Sequence, residues 1–347
     1  MSMPTEEEVA EMFDALVSNG LEFVEASIEE LLANRQTFSV AHFATGVELL
    51  LKARLFKEHW TLVAADPHGC AWTGLKDGTV STTAASDLCD ALTRVTGTPL
   101  ADEKVTFKGI FDHRNRALHF IPSPDRAGVA AEQCRAWYSL HNLLTHARRW
   151  GQHFEPYADR VRAIDARMLE YRPYLQARFE AQSTRLAGLD KAGRVFECPA
   201  CHFRSAVLPD KARMISAFEC PVCNAEDYVA LVSCGARIPL DEIPLDCSCG
   251  GEHDREELLE ALDPTPSLGP KDSLTYEADR GYCGECLDHE ISVAPQAGGY
   301  VCVNCGVEFE AAAISRCDWC NETWANYDTE FSYYTGCEWC DGHSPRD

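Results

Sequence analysis

The sequence predicts an all-α helical bundle followed by small β-rich ribbons, with the change of character near residue 190. Two observations support this prediction. Apolar residues recur at helical spacing before that point, and pairs of cysteines crowd the chain after it. With 347 residues, of which 46% are hydrophobic, the chain is long enough to form two or three folded domains.

The N-terminal half has the periodicity of consecutive amphipathic helices. Thr5 and Glu8 have the spacing of a capping box, which predicts a first helix that ends at Gly20. A second helix is expected over 21–34, and a third from about Ser39 to Val63, because its apolar residues recur every three and four positions. After a loop over 66–82, further helices are expected near 84–96, 101–120, 126–152 and 155–190.

The cysteines give the most specific signal in the C-terminal part. Fifteen of the 18 cysteines follow residue 190, and twelve of them form six C-x-x-C pairs. Taken two by two, successive pairs are separated by 18, 15 and 16 residues, a spacing typical of four-cysteine zinc sites. We therefore predict three zinc ribbons, with the ligand sets Cys198, Cys201, Cys220 and Cys223; Cys283, Cys286, Cys302 and Cys305; and Cys317, Cys320, Cys337 and Cys340. In domains this small the metal supplies folding energy, so its role is structural.

Other interpretations of these cysteines stay open from the sequence. Disulfides would fit an oxidising compartment, but the acidic segment from Met1 to Glu8 is unlike a secretory signal. Redox motifs of the C-x-x-C type do not come in six copies. Cys234, Cys247, Cys249 and His253 form either a fourth, irregular zinc site or an unrelated group in which His253 is a surface histidine. The expected content is thus three or four zinc ions.

Together these patterns predict six segments along the chain. They are a helical domain (1–152), an arginine-rich helical connector (153–194), a first ribbon (195–232), an irregular cysteine-containing segment with a linker (233–281), a second ribbon (282–312) and a third ribbon (313–347).

Charge is distributed unevenly over these segments. The net charge of -24 divides into -11 for residues 1–103, +7 for 104–196 and -20 for 197–347. Only the middle block can attract nucleic-acid phosphates, whereas the acidic tail should repel them and keep the protein in solution. No run approaches the roughly 18 apolar residues of a membrane span, so we expect a cytoplasmic protein with no membrane partner.

One constellation in the helical part suggests catalysis. Arg114, Asn115 and His119 form an R-N-x-x-x-H run, and residues four apart share a helix face. His119 can exchange protons near neutral pH, and the arginine can stabilise phosphate charge. The competing interpretation is a polar helix end in which Arg114 forms a salt bridge with Asp112.

This run, together with an upstream helix reading Glu48-Leu49-Leu50-Leu51-Lys52-Ala53, resembles a HEPN domain over roughly residues 20–150. Many members of that family are metal-independent ribonucleases, some of them toxins or antiviral defence effectors. The resemblance implies a HEPN-like helical bundle that dimerises, with Arg114 and His119 as catalytic residues, Asn115 in the polar position and Glu48 as a supporting acid. Glu48 and Lys52 would equally form a simple i,i+4 ion pair.

Two functions are compatible with these observations. The first is an endoribonuclease that cleaves RNA by attack of the 2′-hydroxyl, in which the zinc ribbons bind a partner or sense a trigger. The second is a non-catalytic dimeric adaptor whose ribbons bind a protein partner. The resemblance to the HEPN family favours the first function, whereas the acidic tail and the 150 residues that hold the cysteine pairs support the second as the alternative.

Overall fold

A computed structural model describes residues 3–210, 212–246, 249–264, 280–287, 290–320, 322–338 and 340. The chain divides into two compact units, Met1–Ala181 and Gln182–Asp347, here called the helical unit and the cysteine-rich unit. As predicted, helices dominate the first and short strands the second.

The helical unit is built from consecutive α-helices with short connections. They are α1 (Glu6–Leu32), α2 (Gln36–Glu58), α3 (Trp72–Lys76), α4 (Leu88–Thr96), α5 (Ala101–His119), α6 (Arg126–Thr145), α7 (Gly151–Phe154), α8 (Ala158–Leu169) and α9 (Arg172–Lys191), the last of which ends in the cysteine-rich unit. The predicted capping box is present, because Glu8 N donates to Thr5 Oγ1 at 3.2 Å and Thr5 N donates to Glu8 Oε2 at 3.0 Å.

The prediction that the first helix ends at Gly20 is wrong, since α1 continues to Leu32. Gly20 instead lies where α1 crosses α2. A Cβ atom at Gly46 would lie 2.8 Å from the carbonyl oxygen of Gly20 and 2.7 Å from Cγ2 of Val24, so only hydrogen fits. A Cβ at Gly20 would lie 2.9 Å from Cγ of Leu50. These glycines therefore permit close helix packing and do not terminate a helix.

The predicted continuous helix over 155–190 is also wrong, because the chain breaks between α8 and α9. Pro173 explains the break, since proline has no N–H to donate to residue 169 and its ring clashes with a preceding helical turn. The expected helix over 126–152 likewise ends at Thr145, and the segment expected as a loop over 66–82 contains the short helix α3.

The core of the helical unit reaches past residue 152. Val161, Ile164, Met168 and Tyr174 of α8 and α9 are buried with the residues of α1, α2, α5 and α6. A buried carboxylate, Asp165, ties these helices together. It accepts hydrogen bonds from Trp137 Nε1 and Arg178 Nη1, each at 3.0 Å, and from the Tyr174 hydroxyl.

In its described residues, the cysteine-rich unit consists of short sheets, one of which contains a parallel pair of strands, and of two short helices. Its elements are β1 (Val195–Glu197), β2 (Arg204–Val207), β3 (Ile215–Glu219), β4 (Glu226–Leu231), β5 (Arg237–Pro239), β6 (Leu245–Asp246), β7 (Glu252–His253), α10 (Arg255–Leu262), β8 (Tyr282–Cys283), β9 (Val293–Gln296), β10 (Gly299–Cys302), β11 (Glu308–Phe309), β12 (Ile314–Arg316), β13 (Thr323–Ala325) and α11 (Ser332–Thr335). The first sheet has the order β1-β2-β3-β4-β5.

The predicted ribbons are not independent of one another. One hydrophobic core contains Ile215 and Ala230 of the first sheet, Leu258 and Leu259 of α10, and Val301 of β10. Further along the chain, β8 pairs in parallel with β13. This pairing places Cys283, a member of the second cysteine set, opposite Ala325, which lies between the two cysteine pairs of the third set. The segments predicted as separate ribbons therefore share cores and a sheet.

Among the described helices, none is both long and apolar enough to cross a membrane.

The crossing of α1 and α2 makes a testable prediction. Gly46→Ala should lower the free energy of unfolding of the helical unit by about 1–3 kcal/mol, because the new methyl group overpacks the contact with α1. Urea denaturation followed by helical circular dichroism measures this change. Gly188→Ala in α9 is the matched control, since nothing lies within 4 Å of its added Cβ and helix propensity favours alanine by up to about 1 kcal/mol. Unchanged or increased stability of Gly46→Ala would contradict the packing argument.

Candidate functional site

Three groups of four cysteines converge in the cysteine-rich unit, and they are the three sets predicted from the spacing. In each group all four sulfur atoms lie within 4.8 Å of one another. The Sγ–Sγ distances across the groups are 3.6 Å (Cys198–Cys223), 3.8 Å (Cys201–Cys220), 3.8 Å (Cys283–Cys305), 3.9 Å (Cys286–Cys302), 3.9 Å (Cys317–Cys340) and 3.6 Å (Cys320–Cys337).

These distances match the edges of a metal–thiolate tetrahedron. With a Zn–S bond of about 2.3 Å, tetrahedral geometry places sulfur atoms about 3.8 Å apart. A disulfide would require about 2.05 Å, and every described cysteine is free. The donor sets therefore fit a metal ion that prefers four thiolates, and zinc is such an ion.

The cysteine turns share one backbone design. In four of them the residue after the second cysteine has a positive φ angle: His202 (58°), Asn224 (62°), Leu287 (49°) and Gly306 (74°). The N–H of each of these residues donates to the carbonyl oxygen of the first cysteine, at 2.8 to 3.0 Å. In these four turns the left-handed residue turns the chain back so that both sulfur atoms point to the same side, which explains why they build the same kind of site.

The fourth group is smaller and contains three described residues with metal-ligand atoms. Cys234, Cys249 and His253 have ligand atoms within 4.8 Å of one another, and Cys249 Sγ lies 3.6 Å from His253 Nε2. Cys247, which the sequence also placed in this group, lies outside the described residues. The group can bind a metal through two thiolates and one imidazole, an arrangement that leaves a position for a further ligand.

Glu257 is a residue of this group that the sequence interpretation missed. Its Oε2 lies 2.7 Å from His253 Nδ1, and its Oε1 accepts from the N–H of Ser233 at 3.3 Å. The hydrogen bonds from Ser233 and His253 hold the pKa of Glu257 below its ordinary value, so the carboxylate is ionised and Nδ1 donates to it. This fixes the tautomer in which the Nε2 lone pair faces the thiolates, as second-shell carboxylates do at metal sites. The i,i+4 spacing of His253 and Glu257 was the available signal.

The metal content of the purified protein tests the cysteine clusters. We expect three or four zinc ions per chain, and Cys220→Ser should remove about one of them because three thiolates hold the ion less tightly. Cys70→Ser, in the helical unit, should leave the zinc content unchanged. Elemental analysis of dialysed protein measures this, and helical circular dichroism should be retained in both variants. Fewer than two zinc ions per wild-type chain would contradict the assignment.

The second-shell role of Glu257 makes a separate prediction. Glu257→Ala should weaken metal binding at the fourth group about 10- to 100-fold, because His253 loses the acceptor that orients it. Chelator competition, in which zinc release is followed by a colorimetric indicator, should show one ion released faster while the others are unaffected. Glu252→Gln, an exposed neighbour on β7, should release zinc like the wild type. Identical release from Glu257→Ala and wild-type protein would remove Glu257 from the site.

The second candidate site is a polar cluster between α2 and α5. Arg114 Nη1 donates to Glu48 Oε2 at 3.0 Å, and Arg114 Nε donates to Asn115 Oδ1 at 3.2 Å. Lys52 Nζ donates to the other oxygen of Glu48 at 2.7 Å. Three of the four predicted catalytic residues are therefore in contact, and Glu48 forms both the predicted i,i+4 ion pair and a bridge to α5.

The alternative interpretation of Arg114 as the partner of Asp112 is wrong. Asp112 pairs with Lys108 at 2.6 Å, and Arg114 turns towards α2. Burial would raise the pKa of Glu48, but hydrogen bonds and charge from Lys52 and Arg114 outweigh it and leave this pKa below its ordinary value. Glu48 is thus an anion that holds Arg114 in place. Within the described part of the chain, nothing accepts a hydrogen bond from Arg114 Nη2, which leaves that group available to a ligand.

His119 lies apart from these contacts. It is the last residue of α5 and is exposed, and within the described part of the chain no side chain contacts it by a hydrogen bond or ion pair. Helix geometry puts it on the same face as Asn115, one turn further on. The structure therefore brings Arg114, Asn115 and Glu48 together and leaves His119 exposed at the end of α5, one turn beyond Asn115.

A second histidine on α5, His113, has a different role. Its Nε2 lies 2.9 Å from Glu132 Oε2 of α6. Six residues separate it from His119, which corresponds to about 9 Å along the helix and about 120° around it. His113 is therefore held against α6, on a different face of α5 from His119.

Comparisons with models of protein families, with curated proteins and with solved structures found no match for this chain.

Proposed function

We propose that the helical unit is a metal-independent endoribonuclease of the HEPN type that cleaves RNA through its own 2′-hydroxyl. The observation that carries the proposal is the Glu48–Arg114–Asn115 contact between α2 and α5, with His119 one turn away on the same helix. An exposed histidine on the same helix as an arginine that a carboxylate holds in place supplies the kinds of group that this reaction needs.

The chemistry assigns one task to each residue. The 2′-oxygen attacks phosphorus and loses its proton to a base, while the bond to the 5′-oxygen breaks and that oxygen takes up a proton. The products are a 2′,3′-cyclic phosphate and a 5′-hydroxyl. His119 transfers a proton, and Arg114 stabilises the charge of the crowded phosphate oxygens through its guanidinium. Glu48 and Asn115 orient Arg114.

One histidine cannot comfortably take one proton and supply the other in a single turnover. His113 is paired with Glu132 of α6, so we assign the second proton transfer to a group from elsewhere. We propose that two copies of the helical unit pair with two-fold symmetry and place two His119 side chains at one cleft. The exposed apolar residues that flank His119, namely Leu118, Phe120 and Ile121, support a surface of this kind at the end of α5.

Charge supports RNA as the substrate. Residues 104–196 carry a net charge of +7 within a chain of -24, and all of α5 after its first three residues lies in this block. Arg116 is exposed near His119 and adds positive charge to the same helix end. The cysteine-rich unit, at -20, should repel RNA, so we assign it to recognition of a partner or a trigger.

Cleavage assays on several RNAs test the proposal with zinc-loaded full-length protein. His119→Ala should lower the cleavage rate about 10²- to 10⁴-fold, because a general acid or base is lost. Arg114→Lys should not restore full activity, since an ammonium lacks the planar fork of a guanidinium. Asp112→Asn, which breaks an exposed ion pair on the same helix, is the control and should cleave normally. Product ends are identified by their response to phosphatase and kinase.

The results that would overturn the proposal are specific. Products with 5′-phosphate ends, or full activity of His119→Ala, would exclude this mechanism. Activity that disappears on mild chelation, with the zinc content unchanged, would show that a further metal is required. If no RNA is cleaved and light scattering shows a monomer, the catalytic interpretation fails and the adaptor interpretation is favoured.

A further inference from the structure

The third cysteine group lies beside an exposed aromatic surface, defined here by Trp319, Phe331, Tyr333 and Tyr334. Their exposed fractions are 46%, 64%, 65% and 78%. Among the described residues, six aromatic side chains are this exposed, and these four fall within 16 residues of one another; the others are Phe38 and Phe120. Exposing a group of aromatic side chains to water costs free energy, and exposed apolar clusters are typical of interaction sites.

The fold of the third ribbon brings together the chain segments that carry these four rings. Phe331, Tyr333 and Tyr334 lie on and next to α11, and the rings of Tyr333 and Tyr334 meet edge to face with centroids 5.3 Å apart. The N–H of Asp318 donates to Ser332 Oγ at 2.9 Å, which ties the turn carrying Trp319 to α11. Cys317 on one side and Cys337 on the other belong to one metal-ligand group, so the surface is anchored at both ends.

Carboxylates are frequent in the chain segment that carries these rings. Residues 313–338 contain Asp318, Glu322, Asp328, Glu330 and Glu338 but a single basic residue, Arg316. Asp318 and Glu330 are exposed and directly precede Trp319 and Phe331 in the chain. In the described part of the chain, no salt bridge joins Asp318, Asp328, Glu330 or Glu338 to a cation. A zinc ion with four thiolates would add about two further negative charges.

We propose that this aromatic surface binds a basic segment of another protein, rich in arginine or lysine. Exposed rings attract guanidinium and ammonium groups by cation–π contacts, and the neighbouring carboxylates pair with the same cations. Charge argues against two other occupants of this surface, RNA and a second copy of this chain. RNA bases could stack on the rings, but the phosphates would be repelled by the carboxylates, and a second copy of the surface would bring like charges together.

Fluorescence anisotropy with a defined probe tests this proposal. The probe is a labelled 12-residue peptide that contains four arginines separated by glycine and serine, and the control peptide has glutamine in place of each arginine. Zinc-loaded full-length protein should bind the arginine peptide and bind the glutamine peptide at least 10-fold more weakly.

Matched variants separate a specific surface from the general acidity of the chain. Tyr333→Ala and Tyr334→Ala should each weaken binding about 2- to 30-fold, the range expected for loss of a cation–π contact, while Tyr334→Phe should keep most of the affinity. Phe38→Ala, an equally exposed ring in the helical unit, should have no effect. Asp318→Asn with Glu330→Gln should weaken binding more than Asp241→Asn with Glu242→Gln, which removes the same charge elsewhere in the cysteine-rich unit. Each variant must retain the wild-type zinc content.

Three outcomes would overturn the proposal. The first is a failure of the surface itself. Either the arginine peptide does not bind at millimolar protein, or the two pairs of charge substitutions weaken binding equally while the tyrosine variants do not change it. The second is tighter binding of a labelled 12-nucleotide uridine RNA than of the peptide, lost in Tyr333→Ala. The third is a wild-type oligomer that Tyr333→Ala dissociates, which would identify a second copy as the occupant.

Discussion

The close crossing of α1 and α2 at Gly20 and Gly46 is the contact on which the helical unit depends. Two glycines inside helices each cost up to about 1 kcal/mol relative to alanine, and the packing they permit must offset that cost. Because α1 occupies the glycine side of α2, other positions of α2 face α5. Glu48, two residues after Gly46, is one of them, and it holds Arg114 at 3.0 Å. The candidate ribonuclease site is therefore positioned by a helix contact that contains none of its residues.

The cysteine-rich unit is stabilised in a different way. Its described strands are two to six residues long, and residues 197–347 have a net charge of -20. Short strands bury little apolar surface, so convergent thiolates supply the cross-links between them. The strands nevertheless share a core: α10 packs its leucines between the first sheet and β10, and β8 joins the second and third cysteine groups. The cysteine groups are therefore connected by shared strands and a shared core as well as by their own thiolates.

The sequence was informative wherever a function depends on spacing along the chain. The C-x-x-C pairs combine as their separations indicate, because a metal-ligand turn is a local structure and only the partner turn has to be found. The capping box of α1 is local in the same way. By contrast, Gly20 was interpreted as a terminator because its use in helix packing depends on Gly46, which is distant in sequence. The partner of Arg114 was predicted wrongly for the same reason. Asp112 is nearer in sequence, but Arg114 pairs with Glu48, which lies across the interface between two helices.

The two proposed sites need opposite charges. RNA cleavage needs positive charge and an exposed proton carrier, and both are found at the end of α5, in the one block of the chain with a positive net charge. Recognition of a basic segment needs negative charge and exposed rings, and both are found at the third cysteine group. Each surface would repel the ligand of the other, because phosphate and guanidinium carry opposite charges. Under these two proposals, RNA is directed to the positively charged block 104–196 and the basic protein segment to the acidic residues near the third cysteine group, so the two ligands do not compete for one surface.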